Sequence, residues 1–240
     1  GASVLDAVLA AGSHVPHLCK DPDQPAIGAC RTCLVAVEGR RGMVASCHAP
    51  AEPDMHVRTS GDALDRVRAT VLSLTAGMVR DGALSDADAP RGEFRGELSR
   101  YAPPEAYTSR ARPAADVSQP AFALNHDACI LCARCVEACQ DVQHIGAITI
   151  AGTGRDARIA PFMDIPLAES ICTSCGQCVS ACPTGALLPR PAPAPVVKRI
   201  QSTCPYCGVG CGIVMEIDAD DRIATVLDQP DNGSSDGMLC

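Results

Sequence analysis

The chain has no tryptophan, and its three phenylalanines and three tyrosines make up only 2% of 240 residues. The side chains that dominate an ordinary core are nearly missing, so something besides aromatic packing must help to hold the fold. Long apolar runs are missing too. The best candidate, Val4 to Ala11, is far too short to span a bilayer, and no signal-peptide pattern precedes the cysteines. Basic residues are outnumbered 28 to 20, giving a formal charge of −8 with no basic stripe, which argues against general nucleic-acid binding. Residues 57–125 contain neither Cys nor His, which excludes that whole stretch as a source of thiolate or imidazole metal ligands.

Sixteen cysteines stand against these absences, grouped in four local sets. Their spacings are metal-like rather than disulfide-like, and a reducing, cytoplasmic setting with no membrane span is the expectation. Bound clusters carrying about −2 each would take the protein to roughly −16, a charge suited to docking on a complementary partner.

Between the cysteine sets the pattern is that of several small modules. Ser3-Val-Leu-Asp6 has the form of a capping box opening a short helix that ends near Gly12. Leu34–Glu38 and Met43–Ser46 read as two strands of a hairpin. Residues 60–81 read as a helix with Leu64, Val67, Val71 and Leu74 on one side. Asp81 to Gln119 gives little periodicity and is expected to be mostly irregular. A long insertion, Ile148 to Ser170, separates the second and third cysteine sets, and Pro189 to Pro195 reads as a stiff connector. A last hairpin is predicted from Ile213–Ile217 and Ile223–Leu227, turning at Asp218–Asp221.

The first set is Cys19, Cys30, Cys33 and Cys47, spaced C-x10-C-x2-C-x13-C. Four thiolates so placed can hold a [2Fe–2S] cluster, with Cys30 and Cys33 serving one iron or bridging the set; zinc fits the same residues. Gly28 and Ala29 would let backbone N–H groups approach the sulfurs. The second and third sets, Cys129, Cys132, Cys135, Cys139 and Cys172, Cys175, Cys178, Cys182 before Pro183, both follow C-x2-C-x2-C-x3-C. Three close cysteines wrap three corners of a cubane, and the fourth points toward the other cluster. One [4Fe–4S] cluster is therefore expected on Cys129, Cys132, Cys135 and Cys182, and another on Cys139, Cys172, Cys175 and Cys178. The fourth set is Cys204-Pro-Tyr-Cys207-Gly-Val-Gly-Cys211, with Cys240 the only later candidate for a fourth ligand.

Pro16-His-Leu-Cys19, Gly28-Ala-Cys30-Arg-Thr-Cys33 and Val44-Ala-Ser-Cys47 resemble the N-terminal ferredoxin domain shared by the complex I large subunit, iron hydrogenases and NAD-linked formate dehydrogenases. The second and third sets resemble a bacterial two-cluster ferredoxin. The fourth resembles the start of molybdenum or tungsten bis-pterin oxidoreductases, above all formate dehydrogenases, with Pro230, Asn232, Gly233 and Gly237-Met-Leu-Cys240 similar to the approach to the fourth ligand. The resemblance implies an α+β, multi-domain iron–sulfur protein: a β-grasp [2Fe–2S] domain at 1–59, a connector at 60–121, a two-[4Fe–4S] domain at 122–188, a linker at 189–201, and the start of a bis-pterin [4Fe–4S] domain at 202–240. The hairpin that precedes the first helix in that family is missing, so Gly1 is expected not to be the native start. A cluster held by one His and three Cys, common in relatives, is expected to be lost, its helical lead-in surviving as packing.

The same resemblance implies the large subunit of a cytoplasmic NAD-dependent formate dehydrogenase. Its Mo- or W-bis-pterin guanine dinucleotide and catalytic residues would lie beyond Cys240, with FMN and NAD on a diaphorase-type partner and a small ferredoxin-like subunit as a further partner. The alternatives are a stand-alone carrier and the electron-transfer region of a hydrogenase or complex I-like enzyme. No catalytic residue is assigned within the chain. His14, His17 and His144 lie near sets already holding four thiolates, while His48, His56 and His126, with Arg31, Arg134, Lys198 and Arg199, are expected to be solvated.

Overall fold

Ser3 begins the first helix, α1 (Val4–Ala10), with the reciprocal capping box in place: the Asp6 N–H donates to the Ser3 hydroxyl at 3.2 Å and the Ser3 N–H to the Asp6 carboxylate at 2.9 Å. These contacts come from a computed structural model that describes residues 1–21, 24–80, 82–84, 93–101, 112–190, 195–229 and 231–235. The chain divides into two units, Gly1–Leu188 and Pro189–Cys240.

In the first unit α1 leads to β1 (Leu34–Val37) and β2 (Met43–Ala45), which pair antiparallel with Leu34 opposite Ala45. A short strand not anticipated from sequence, β3 (Val57–Arg58), joins the other edge of β1, giving the order β2-β1-β3. Val4, Leu5 and Val8 of α1 pack with Val15, Val35 and Val37 and with Cys33 and Cys47, so two of the cysteines are part of this small core.

Helix α2 (Asp62–Ala76) lies within the predicted span but buries a different face. Leu64, Arg68, Leu72 and Ser73 point inward, whereas Leu74 is 57% exposed. The rotation follows from Arg68, whose guanidinium donates to the Thr59 and Leu34 carbonyls at 2.7 and 2.6 Å and to the Tyr101 hydroxyl at 3.3 Å. Three acceptors draw a cation inward that a hydropathy pattern assigns to solvent.

A further correction concerns the stretch expected to be irregular, which contains α3 (Glu93–Tyr101). Phe94 of α3 is fully buried, and Leu98 and Tyr101, one and two turns further on, pack partly buried against the same core. The helix's neighbours on both sides fall outside the described residues.

The remainder of the first unit is built around the second and third cysteine sets. Strand β4 (Phe122–Leu124) pairs with β7 (Leu187–Pro189), and the very short helices α4 (Arg134–Glu137) and α5 (Gln177–Ser180) each carry the third cysteine of a triplet, Cys135 and Cys178. The insertion folds as a hairpin of β5 (Ile148–Ala151) and β6 (Arg158–Pro161), with Ile148 opposite Pro161. Phe122, Leu124, Ile148, Ile159, Leu167 and Leu187 pack with cysteines from both triplets in one core.

The second unit is an antiparallel sheet in the order β10-β9-β8: β8 (Lys198–Thr203), β9 (Gly212–Ile217) and β10 (Ile223–Asp228). The predicted final hairpin is present, its turn held by the Asp218 carboxylate accepting the N–H groups of Asp220 and Arg222. The α+β class is thus met by small sheets and short helices. No helix among the described residues is long and apolar enough to cross a membrane.

Candidate iron–sulfur centres

Cys19, Cys30, Cys33 and Cys47 come together at the end of the first sheet. The side chains pair Cys19 with Cys30 and Cys33 with Cys47, so the C-x2-C residues bridge the set instead of sharing one partner. The Cys30 thiol donates to Cys19, and with backbone N–H groups of Cys30, Ala29 and Gly28 it brings the Cys19 pKa down to about 5. The Cys30 N–H lies 3.4 Å from Cys19 Sγ. A hydrogen bond from Cys47 likewise leads the causes that lower Cys33 to about 6. Each partner, Cys30 and Cys47, is pushed far up by the same pairing and by burial. Iron binding at this set would displace the thiol protons. Gly28 has φ +72°, and a Cβ there would meet His48 Nε2 at 2.5 Å; only glycine lets this N–H-bearing loop close on the sulfur.

The second and third sets form two enclosed cavities. Cys129, Cys132 and Cys135 line one together with Cys182 from the other motif. Cys172, Cys175 and Cys178 line the other together with Cys139. Leu124 and Leu187, from β4 and β7, form a wall common to both. The two triplets share a backbone device: Leu131 and Ala133 flank Cys132 with φ +53° and +67°, and Ser174 and Gly176 flank Cys175 with φ +61° and +79°. Left-handed residues other than glycine cost roughly 1–2 kcal/mol each, and alternating hands turn successive N–H groups to one side of the loop, an arrangement suited to anionic sulfur. The Leu131 N–H donates to Cys129 Sγ at 3.4 Å and the Ala147 N–H to Cys139 Sγ at 3.2 Å. Burial drives the Cys132 and Cys135 thiols well up and lifts Cys178 to about 12, so cluster assembly here also requires proton release. Among the described residues no three His, Cys, Asp or Glu side chains meet at a single metal-ion position. The donor chemistry and N–H-lined loops fit iron–sulfur clusters.

In the second unit Cys204 follows β8 and Cys211 precedes β9, tied by the Cys204 N–H to the Cys211 carbonyl at 2.8 Å. Cys207 is exposed between them. At Gly212 a Cβ would stand 2.6 Å from the Asn232 side chain, so the glycine lets the loop at 232 close on this turn. Cys240, the predicted fourth ligand, lies outside the described residues, as do Pro230 and Gly237-Met-Leu.

Two residues expected to be solvated are buried. His126 opens a tight turn before Cys129 and is 6% exposed, its pKa lowered by desolvation and then by Arg112 and Arg158. Arg134, between Cys132 and Cys135, is 1% exposed. Nothing in the local sequence distinguishes it from a surface arginine; its acceptors are more than a hundred positions away in the chain, at His17 and Lys20.

The 2Fe-2S iron-sulfur cluster binding domain family matches residues 1–62, the 4Fe-4S dicluster domain family residues 128–186, and the molybdopterin oxidoreductase Fe4S4 domain family residues 197–240. The chain is an iron–sulfur electron-transfer region of the molybdopterin-oxidoreductase family. It is 33% identical over 196 residues to a subunit of an NADP-reducing hydrogenase of Solidesulfovibrio fructosivorans, spanning 78% of this chain and 33% of the relative. A subunit of an NADH-quinone oxidoreductase of Rhizobium meliloti is 30% identical over 224 residues, 90% of this chain and 26% of that protein. A Staphylococcus haemolyticus protein that carries the name formate dehydrogenase provisionally is 26% identical over 263 residues, again 26% of its length. The region thus spans about a third or a quarter of these relatives. Among solved structures, a chain of an NAD+-reducing [NiFe]-hydrogenase in the H2-reduced state matches with TM-score 0.68 and 28% identity, covering 82% of this chain and 85% of that one.

Proposed function

We propose that this region is the electron relay of a formate dehydrogenase large subunit, serving formate oxidation, and in reverse carbon dioxide reduction, at a Mo- or W-bis-pterin centre beyond Cys240. The flavin, NAD and diaphorase-type partner belong to the same reading, supported by relatives named for NADP- and NAD+-reducing hydrogenases, as does the cytoplasmic setting. The observation that carries it is the fourth cysteine set, Cys204-Pro-Tyr-Cys207-Gly-Val-Gly-Cys211, joined in one chain to both ferredoxin modules.

The proposed ligand sets are Cys19, Cys30, Cys33 and Cys47 for one [2Fe–2S] cluster, and three sets for [4Fe–4S] clusters: Cys129, Cys132, Cys135 and Cys182; Cys139, Cys172, Cys175 and Cys178; Cys204, Cys207, Cys211 and Cys240. In the first set Cys19 and Cys30 would hold one iron, Cys33 and Cys47 the other. Bound clusters supply one-electron oxidation and reduction. The chain's own part is to donate N–H groups to sulfur, to exclude water with leucine and isoleucine walls, and to fix ligands on loops held by distant residues.

The test is a Cys207→Ser change in the complete enzyme. Formate-dependent NAD reduction should be abolished, while the remaining clusters assemble and are still reduced by NADH through the partner. Undiminished reduction of those clusters by formate, with the fourth cluster shown to be absent, would make an independent carrier the better reading. The relatives among hydrogenase and NADH-quinone oxidoreductase subunits support a second reading, a relay serving hydrogen or quinone chemistry; loss of formate dependence altogether in the unmodified enzyme would favour it.

A further inference from the structure

Among the described residues Arg134 is one of the two largest fully buried side chains, and it stands between two ligand loops. It sits between Cys132 and Cys135 of the first cubane set, at the start of α4. Its Nη2 donates to the Lys20 carbonyl at 2.7 Å and the His17 carbonyl at 3.3 Å, the residues on either side of Leu18-Cys19. Its Nη1 lies 2.8 Å from the Glu93 carboxylate and 3.9 Å from that of Asp21. Glu93 opens α3, and the next residue, Phe94, donates its N–H to the carbonyl of Pro183, which follows Cys182. One guanidinium therefore ties the Cys19 loop to the Cys132–Cys135 loop, and α3 closes the ring onto the fourth ligand of the same cubane set.

The two loops also share a core. Cys19 and Leu18 pack in one buried cluster with Ile130, Cys132, Leu72 and Phe94. No Cys or His occurs in residues 57–125, so that segment provides no ligand for a further centre; what it provides is α2 and α3, which wall this cluster.

We infer that Arg134 is a positioning residue that holds the [2Fe–2S] ligand set directly against the Cys129, Cys132, Cys135 and Cys182 set, with its charge between the two centres, making them immediate neighbours. The planar fork suits this role, since it holds its donors in a fixed plane toward two carbonyls and beside a carboxylate, whereas an ammonium is a point charge on a flexible stem. Being permanently charged, it also favours the reduced, more negative form of both centres. The inference rests on the ligand sets proposed above and is independent of formate as the substrate.

The experiment is electron paramagnetic resonance with potentiometry on the anaerobically reduced full chain. In the unmodified protein the [2Fe–2S] signal should show spin–spin broadening and fast relaxation from a neighbouring reduced cubane, and this should persist when the second cubane is removed by Cys139→Ala with Cys175→Ala. Arg134→Gln should weaken the coupling and move both midpoint potentials to more negative values. Arg134→Lys should weaken the coupling but leave the potentials near those of the unmodified chain, because the charge remains. Glu93→Gln, at a partly exposed partner, gives a milder weakening of the coupling if Arg134 variants lose iron. A [2Fe–2S] centre that relaxes as an isolated spin in the unmodified chain would overturn the inference, as would unchanged coupling and potentials in iron-replete Arg134→Gln. Failure of the ligand assignment would show instead as alteration of both paired cubanes in the Cys139→Ala with Cys175→Ala variant.

Discussion

The sharpest consequence of the proposed ligand sets is that the fourth cysteine of each triplet motif would serve the other cluster, and pairs of substitutions separate this from the unswapped alternative. Cys139 lines the cavity of Cys172, Cys175 and Cys178. Replacing Cys139 and Cys175 by Ala therefore removes two ligands from one cubane, and a cubane left with two thiolates should be lost outright. Anaerobically assembled chain should fall from about 14 irons to about 10, with the other paired cubane unchanged in spectrum. Cys139→Ala with Cys132→Ala takes one ligand from each, and both paired cubanes should change. The common wall of Leu124 and Leu187 is untouched in either variant, so the surviving cavity keeps that side. Iron analysis with electron paramagnetic resonance of the reduced protein reads the difference. The reverse pattern, two altered cubanes in the first variant and one intact in the second, would refute the swapped arrangement.

Two further predictions concern packing around these sites. Phe94→Ala empties a fully buried site beside Cys19 and Cys132, at a cost of about 3–5 kcal/mol; hydrogen exchange in α3 should speed by two to three orders of magnitude, roughly as that cost implies, and exchange as in the unmodified chain would show that α3 is not anchored there. Arg68→Met keeps bulk but leaves the Thr59 and Leu34 carbonyls without their donor, at about 1–3 kcal/mol for each group left unsatisfied; the visible absorbance of the [2Fe–2S] centre should bleach at a lower temperature, and an unchanged bleaching temperature would refute the bridging role.

Elements announced by short-range chemistry were legible in the sequence. The Ser3/Asp6 capping box, the β1–β2 hairpin and the β9–β10 hairpin depend on residues within a few positions of one another, and each appears as its local pattern implies. The cysteine sets were legible for a related reason, since cluster geometry fixes their spacing. What escaped depends on long separations. Helix α3 packs through only three apolar positions, Phe94, Leu98 and Tyr101, and its first turn is tied to Pro183, far along the chain. The face of α2 was misjudged because Arg68 answers to Leu34 and Tyr101. Arg134 was assigned to solvent because its acceptors lie near Cys19.

Those two arginines also bear on the scarcity of aromatics. Among the described residues Arg68 and Arg134 are the largest fully buried side chains, ahead of Phe94. Loops that wrap clusters are irregular, so their carbonyls lack the partners that helices and sheets supply, and a buried unpaired carbonyl is costly. Trp could fill the volume but offers one donor, whereas a guanidinium fills comparable space and offers five in a plane. Each arginine donates to two backbone carbonyls: Thr59 and Leu34 for Arg68, His17 and Lys20 for Arg134. The desolvation cost of burying such a cation is offset where carboxylates stand near, Asp65 at 3.6 Å for Arg68 and Glu93 at 2.8 Å for Arg134.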